Sequence, residues 1–132
     1  MDLKAQMGQF LAPEFSLAQL AERLYQAETD PDRVVMRQWI YGEEETCREL
    51  SRAQVNKRIK VVAARLQQVA DPGTRVAILA GNSPEYVFGF LGALYAGMVP
   101  IPLYDPNEPG HTDHLKAVFG DCEPPIVVTN RV

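Results

Sequence analysis

Three short apolar runs, separated by helical patterns, dominate the second half of this chain of 132 residues. They cover residues 75–80, 99–103 and 126–129, and each is too short for a helix of ordinary length. Apolar strands that alternate with helices are typical of a buried parallel sheet with right-handed crossovers. The sequence therefore predicts an α/β fold that contains a parallel β-α-β-α-β unit.

Helical patterns fill the two intervals between these runs. The first predicted helix spans about Pro84–Ala96, with its cap at Asn82 or Ser83. The second opens at Thr112 or Asp113 and ends before the prolines at 124 and 125. Two further prolines lie within the strand 99–103, and proline has no N–H to donate. That strand is therefore expected at a sheet edge or a bulge, with an unpaired edge there or along 126–129.

The first half of the chain predicts a helix and a β-hairpin. The helix opens at Ser16, repeats leucines at positions 17, 20 and 24, and ends near Ala27. Residues 34–41 are bulky and β-branched, which is typical of a strand, and residues 43–50 return as a second strand after Gly42. We expect Trp39 to be at least partly buried against the early helix.

A long helix then opens at Ser51. Its apolar face consists of Val55, Ile59, Val62 and Leu66, and its solvent face of Lys57, Arg58, Lys60 and Arg65. We expect this helix to cover the sheet face opposite the other helices. The predicted organisation is a tail (1–15), a helix plus hairpin (16–50), and a helix with the β-α-β-α-β unit (51–132). The last strand lies next to Val132, which predicts that the sequence is the front part of a larger domain.

Charge and composition exclude several classes of function. Lys and Arg number 13 and Asp and Glu 17, so the net charge of −4 does not favour nucleic acid. Cys47 and Cys122 form no C-x-x-C pair, which fits a cytoplasmic protein. The start of the chain lacks the apolar stretch of a signal peptide. Tyr86–Tyr104 has no charged residue, but its prolines interrupt it, so no transmembrane segment is predicted.

Two glycine-containing patterns are candidate ligand sites. The turn Gly81–Glu85 connects a strand to a helix and could hold an anion, but Glu85 places a negative charge at the helix start. Helix capping is the favoured interpretation. A stripe of small residues follows on the same helix, consisting of Gly89, Gly92, Ala93, Ala96 and Gly97. Close packing of the helix on the sheet explains this stripe better than a ligand lining does.

Two polar clusters are further candidates. His111 and His114, with Asp105, Glu108 and Asp113 nearby, could form a metal site, but a solvated loop and helix cap is favoured. The three carboxylates of Tyr41–Glu45 are consecutive and suit a solvated hairpin turn. No Ser/His/Asp or Cys/His arrangement supports nucleophilic catalysis. No catalytic, cofactor-binding or metal-binding residue is therefore assigned.

A longer set of segments resembles, in order, the opening region of adenylate-forming (AMP-dependent synthetase/ligase) enzymes. These segments are Cys47–Ser51, Ala63–Leu66, Pro72–Leu79, Asn82–Tyr86 and Phe90–Leu103. The segments Tyr104–His111 and Asp121–Pro124 look most like the fatty acyl-AMP ligase branch. The resemblance covers about residues 16–130.

The resemblance implies the N-terminal part of an enzyme that activates a fatty acid with ATP and Mg²⁺ as an acyl-adenylate. The acceptor would be an acyl carrier protein or coenzyme A. The family's phosphate loop, aromatic-Gly-x-Thr-Glu motif, ribose-binding Asp and late catalytic Lys have no counterpart here. Tyr41–Glu45 imitates the second motif, but Glu44 stands where Thr is required. The fragment is thus expected to be a scaffold and inactive alone.

Two other classes of function stay open from the sequence. One is a non-catalytic interaction module, a truncated paralogue that binds a partner through its open sheet edge and also self-associates. The other is a small nucleotide-binding domain of the doubly wound type.

Overall fold

The computed structural model describes residues 16–103, 110 and 112–129. The elements in chain order are α1 (Leu17–Ala27), β1 (Val34–Ile40), β2 (Thr46–Ser51), α2 (Arg52–Gln67), β3 (Arg75–Leu79), α3 (Pro84–Tyr95), β4 (Val99–Pro102), α4 (Thr112–Cys122) and β5 (Ile126–Thr129). This order confirms the predicted helix, hairpin and β-α-β-α-β unit. The tail 1–15 and the loop around Asp105 and Glu108 lie outside the described residues.

The second half forms a three-stranded parallel sheet in the order β4-β3-β5. The chain leaves β3 for β4 on one side and then crosses to β5 on the other side. The sequence predicts an unpaired sheet edge at β4 or at β5. Both are outer strands among the described residues. The sheet therefore has β3 at its centre, where Val76, Ala77 and Ile78 have no exposed surface.

The two prolines of β4 lie on an outer strand, as the sequence predicts. Val99 N donates to Thr74 O at 2.9 Å, and Leu103 N donates to Ile78 O at 3.1 Å. Residues two apart in a strand point their N–H groups to the same side. The nitrogens of Pro100 and Pro102 therefore lie on the side away from β3, where no ladder bond is lost.

Helix α3 packs against one face of the sheet, and α2 packs against α3 on the same side. The buried cluster there consists of Ala63, Leu66, Val76, Ile78, Ala93, Ala96 and Met98. The expectation that α2 covers the opposite face is wrong. Its residues Ala63 and Leu66 share this cluster with Val76 and Ile78, which alternate onto one side of β3. The two helices approach closely because Gly92 of α3 has no side chain to meet Val62 of α2.

The hairpin packs against α2 and α3 through a second cluster, Leu50, Val55, Ile59 and Phe88. In the antiparallel pairing of β1 with β2, Met36 lies opposite Leu50 and packs against this cluster. Because strand residues alternate, Trp39 falls on the other face and is 54% exposed. The expected burial of Trp39 against the early helix is therefore wrong. The predicted strand 43–50 also starts later, at Thr46, because the three glutamates lie in the turn.

Polar contacts join helix α1 to α2 and α3. Leu17 and Leu24 are 64% and 59% exposed, so the predicted leucine face does not pack on the hairpin. Instead, Lys60 Nζ donates to Glu22 Oε1 at 3.0 Å, and Tyr95 Oη donates to Glu22 Oε2 at 3.3 Å. The Lys60 hydrogen bond, opposed by desolvation, lowers the pKa of Glu22. Burial, followed by the charge of Glu22, raises the pKa of Tyr95.

Side chains cap two helices as predicted, at Ser16 and Ser51. Each serine Oγ accepts a hydrogen bond from the backbone N–H three residues later, and the Oε1 of the glutamine there accepts one from the serine backbone N–H. Ser83 occupies the cap position of α3 but donates to the carbonyl of Gly81 and makes no capping bond. Helix α4 already begins at Thr112, so neither Thr112 nor Asp113 precedes it as a cap.

Candidate functional site at the carboxyl edge of the sheet

Ligands of open parallel sheets bind beyond the carboxyl ends of the strands, where neighbouring connections leave in opposite directions. Here that place lies beyond Leu79, because the strands on the two sides of β3 are β4 and β5. The turn 80–83 connects β3 to α3, and Pro84 and Glu85 form the first turn of the helix. This turn is the candidate site that the topology defines.

The central polar contact of this edge is an ion pair between Arg48 of β2 and Glu85 of α3. Arg48 Nη1 donates to Glu85 Oε1 at 2.6 Å. Burial acts to raise the pKa of Glu85, but hydrogen bonds from Arg48 and the backbone, together with the Arg48 charge, outweigh it and lower that pKa. Glu85 is therefore ionised at neutral pH and ties the hairpin to the start of α3.

Two grooves flank this ion pair. The first, of about 210 Å³, is lined by Arg48, Arg58, Val61, Val62, Phe88 and Gly89, together with the end of β5. The second, of about 400 Å³, lies between β1 and the turn 82–84 and includes Trp39 and Tyr41. The first groove has an apolar floor with two guanidinium groups beside it, and the second is more polar.

The turn Gly81–Glu85 does not present a phosphate cradle. Glu85 places a carboxylate in the first turn of α3, the position where the helix would otherwise stabilise a bound anion. Its carboxylate pairs with Arg48, so this guanidinium group is already neutralised. The small-residue stripe packs as predicted. A β-carbon on Gly89 would lie 3.1 Å from Val128 Cγ1 and 3.5 Å from Ile78 Cγ2. Gly89 therefore allows close packing of α3 on the sheet, whereas Gly92 allows close packing of α3 on α2.

Of the remaining polar clusters, the one at 41–45 borders this edge, because Tyr41 lines the second groove together with the turn 82–84. His114 is exposed in the first turn of α4, and His111 lies outside the described residues. The residues Glu43–Glu45 form the exposed hairpin turn, as predicted. Within the described ranges, no group of three metal-ligating side chains comes together, and no helix is both long and apolar enough to cross a bilayer.

The Arg48–Glu85 pair is not evident from the sequence. The two residues are 37 positions apart, and both look like ordinary surface charges in their own elements. The only available signal was the acidic residue in the first turn of α3, which suggests a stabilising interaction with the helix dipole and no particular partner.

The fold defines an α/β protein with an open parallel sheet. A family model described as AMP-binding enzyme matches residues 24–132. The chain belongs to this family, which confirms the predicted resemblance to adenylate-forming enzymes.

Curated relatives give a finer comparison. The chain is 51% identical over 82 residues to the long-chain-fatty-acid–AMP ligase FadD32 of Mycolicibacterium smegmatis. It is 41% identical over 80 residues to the long-chain-fatty-acid–AMP ligase FadD26 of Mycobacterium tuberculosis. These matches cover 62% and 61% of this chain but only 13% and 14% of the relatives. The chain thus matches a small part of each.

Solved structures agree at the level of the fold. The crystal structure of a fatty acid AMP ligase from Legionella pneumophila superposes with a TM-score of 0.71 at 24% identity. The match covers 92% of this chain and 20% of that protein. The arrangement of α1 through β5 therefore recurs as one part of a much larger chain.

Proposed function

We propose that this chain is the N-terminal part of the AMP-binding domain of an ATP-dependent fatty acyl-AMP ligase. The observation that carries the proposal is the 51% identity to FadD32. In this reaction, a fatty acid carboxylate oxygen attacks the α-phosphorus of ATP, and the α–β phosphoanhydride bond breaks to release pyrophosphate. The product is an acyl-adenylate, and the thiol of a carrier protein or of coenzyme A then accepts its acyl group while AMP leaves. We assign the parent enzyme to the cytoplasm.

The residues between Ser16 and Thr129 contribute a scaffold to this chemistry. Transfer of the adenylyl group from ATP to a carboxylate requires cationic groups or Mg²⁺ around the phosphates. At the carboxyl edge of the sheet, Arg48 is already paired with Glu85, and the described residues gather no cluster of metal ligands. These residues do not fit a triphosphate or Mg²⁺ site, so we derive no catalytic step from them. We propose that this part of the AMP-binding domain consists of a tail (1–15), a helix plus hairpin (16–50), and a helix with the β-α-β-α-β unit (51–132).

A chimera tests the proposal directly. The segment of M. smegmatis FadD32 that matches this chain would be replaced by the corresponding segment of this chain, and fatty-acid-dependent ATP–pyrophosphate exchange would be measured. Retention of exchange is expected, because a scaffold that is 51% identical can be exchanged if its packing is preserved. A chimera that folds, as judged by its thermal transition, but shows no exchange would contradict the proposal. The isolated chain is expected to show no exchange.

One observation favours the interaction module as a second candidate function. Both β4 and β5 are outer strands in the described part of the sheet, and unpaired strand edges recruit other chains. Association with another chain through such an edge is the activity expected of a non-catalytic interaction module. The chimera separates the two, because an interaction module has no reason to support acyl-adenylate formation.

A further inference from the structure

A basic groove follows the outer surface of α2 next to the end of β2. It combines the 210 Å³ groove described above with an adjoining groove of about 390 Å³ lined by Leu50, Gln54, Lys57, Arg58 and Val61. Arg58 and Val61 line both parts, and Val61 is 56% exposed at their junction. In the described part of the chain, Lys57 and Arg58 form no ion pair. The basic groove thus has an apolar floor and two cations without an ion pair among the described residues, Lys57 and Arg58, whereas its third cation, Arg48, is paired with Glu85, which also lines the groove.

An acidic tip at the hairpin turn carries the complementary features. Trp39, Ile40 and Tyr41 are all large, exposed side chains, and Tyr41 is 78% exposed. Directly after them, the three glutamates of residues 43–45 are exposed and form none of the ion pairs found among the described residues. Exposed aromatic side chains next to uncompensated charge are characteristic of interaction surfaces.

Within one molecule, the described structure shows no ion pair between the tip glutamates and Lys57 or Arg58. Both sets of charges are therefore available to a second copy of the chain. A concave groove does not match a flat bilayer, and a net charge of −4 opposes approach to anionic lipid or nucleic acid.

We propose that two copies of this chain associate by docking the acidic tip of one copy into the basic groove of the other. Trp39 and Tyr41 supply the apolar contact with Val61, and the tip carboxylates pair with Lys57 and Arg58. Every copy carries both surfaces, so the contact forms a reciprocal dimer or continues as a head-to-tail assembly. The end of β5 lines the groove, but this contact needs no strand pairing along β4 or β5, and it does not depend on the proposed ligase function.

A charge-swap experiment with the full 132-residue chain tests this proposal. The tip variant carries E43K, E44K and E45K, and the groove variant carries K57E and R58E. Sedimentation velocity over a concentration series would compare each variant with the wild type and with an equimolar mixture of both. The control, R65E with K116E, makes the same charge change as the groove variant at exposed positions outside the groove.

We expect the wild type and the control to self-associate, and each charge variant alone to associate at least about tenfold more weakly, because like charges then face each other. The mixture of the two variants should recover association, and salt should weaken the wild-type complex. A wild type that stays monomeric, variants that associate like the wild type, or a mixture that fails to recover would each overturn the proposal. Circular dichroism of every variant verifies that loss of association does not reflect unfolding.

Discussion

Replacement of Gly92 by alanine tests the close contact between α2 and α3. A β-carbon at this position would lie 2.7 Å from Val62 Cγ1, 2.8 Å from Val62 Cβ and 3.2 Å from the carbonyl oxygen of Ile59. Val62 cannot move away easily, because a β-branched side chain in a helix has one strongly preferred rotamer. The carbonyl belongs to the helix backbone and is fixed. Overpacking of this kind costs about 1–3 kcal/mol.

The intrinsic helix preference of alanine acts in the opposite direction. Alanine is about 1 kcal/mol more favourable than glycine inside a helix, so the net loss for Gly92→Ala is smaller than the overpacking cost. Gly120 provides the matched control, because it lies in α4 and a β-carbon added there would have no described atom within 4 Å. Gly120→Ala should therefore stabilise the protein. The difference between the two substitutions isolates the overpacking at about 1–3 kcal/mol.

Urea denaturation followed by circular dichroism would measure both free energies of unfolding. Val62→Ala combined with Gly92→Ala should recover part of the loss, because the shorter side chain removes the Cγ1 contact, and a double-mutant cycle measures this coupling. A Gly92→Ala protein that gains as much stability as Gly120→Ala would refute the close helix contact.

Three further predictions concern single side chains. Ser51→Ala should lower the free energy of unfolding by about 1 kcal/mol in urea denaturation, because it removes the side-chain cap of α2, whereas Ser51→Thr should retain most of it. Trp39→Ala should cost well below the ~3–5 kcal/mol of a core aromatic, since this side chain is 54% exposed; a core-sized loss would contradict its position. The folded-state pKa values of Glu22 and Glu85 lie below the ordinary 4.5, so their stabilisation is present above pH 4.5 and is lost as the pH falls through the folded values. Glu85→Gln should therefore make the melting temperature less sensitive to pH below 4.5, and an unchanged pH profile would argue against the Arg48 pair.

Local patterns were sufficient to predict the elements of the fold. The bounds of α2 and α3 follow from signals within a few residues, such as the capping serine at 51, the proline at 84 and the glycine at 97. The parallel sheet follows from strand length and alternation with helices. The outer position of β4 follows from its prolines, because the missing N–H groups restrict where such a strand can pair.

The errors concern how elements face one another. The orientation of Trp39 depends on the pairing register of β1 with β2, and a one-residue change in register reverses the face of every side chain. The leucines of α1 have the correct helical spacing, but spacing alone does not show which side of a helix meets the protein. Glu22 and its contacts with Lys60 and Tyr95 determine that side, and they join positions far apart in the sequence.

The candidate site was the least predictable part. The turn 81–85 could be located from the sequence, because it follows a strand and precedes a helix. The Arg48–Glu85 pair could not, since it depends on the angle at which the hairpin packs against α3. The basic groove likewise requires β2, α2, α3 and β5 to be placed together before its residues form one surface.

The prolines of β4 make the two borders of the sheet unequal. A strand that approached the outer side of β4 would find carbonyl acceptors but no N–H donors at Pro100 and Pro102, so it could form only part of a ladder. Strand β5 contains no proline, and its backbone can offer both donors and acceptors. Further strands can therefore pair fully with the outer side of β5, whereas they can pair only in part with the outer side of β4.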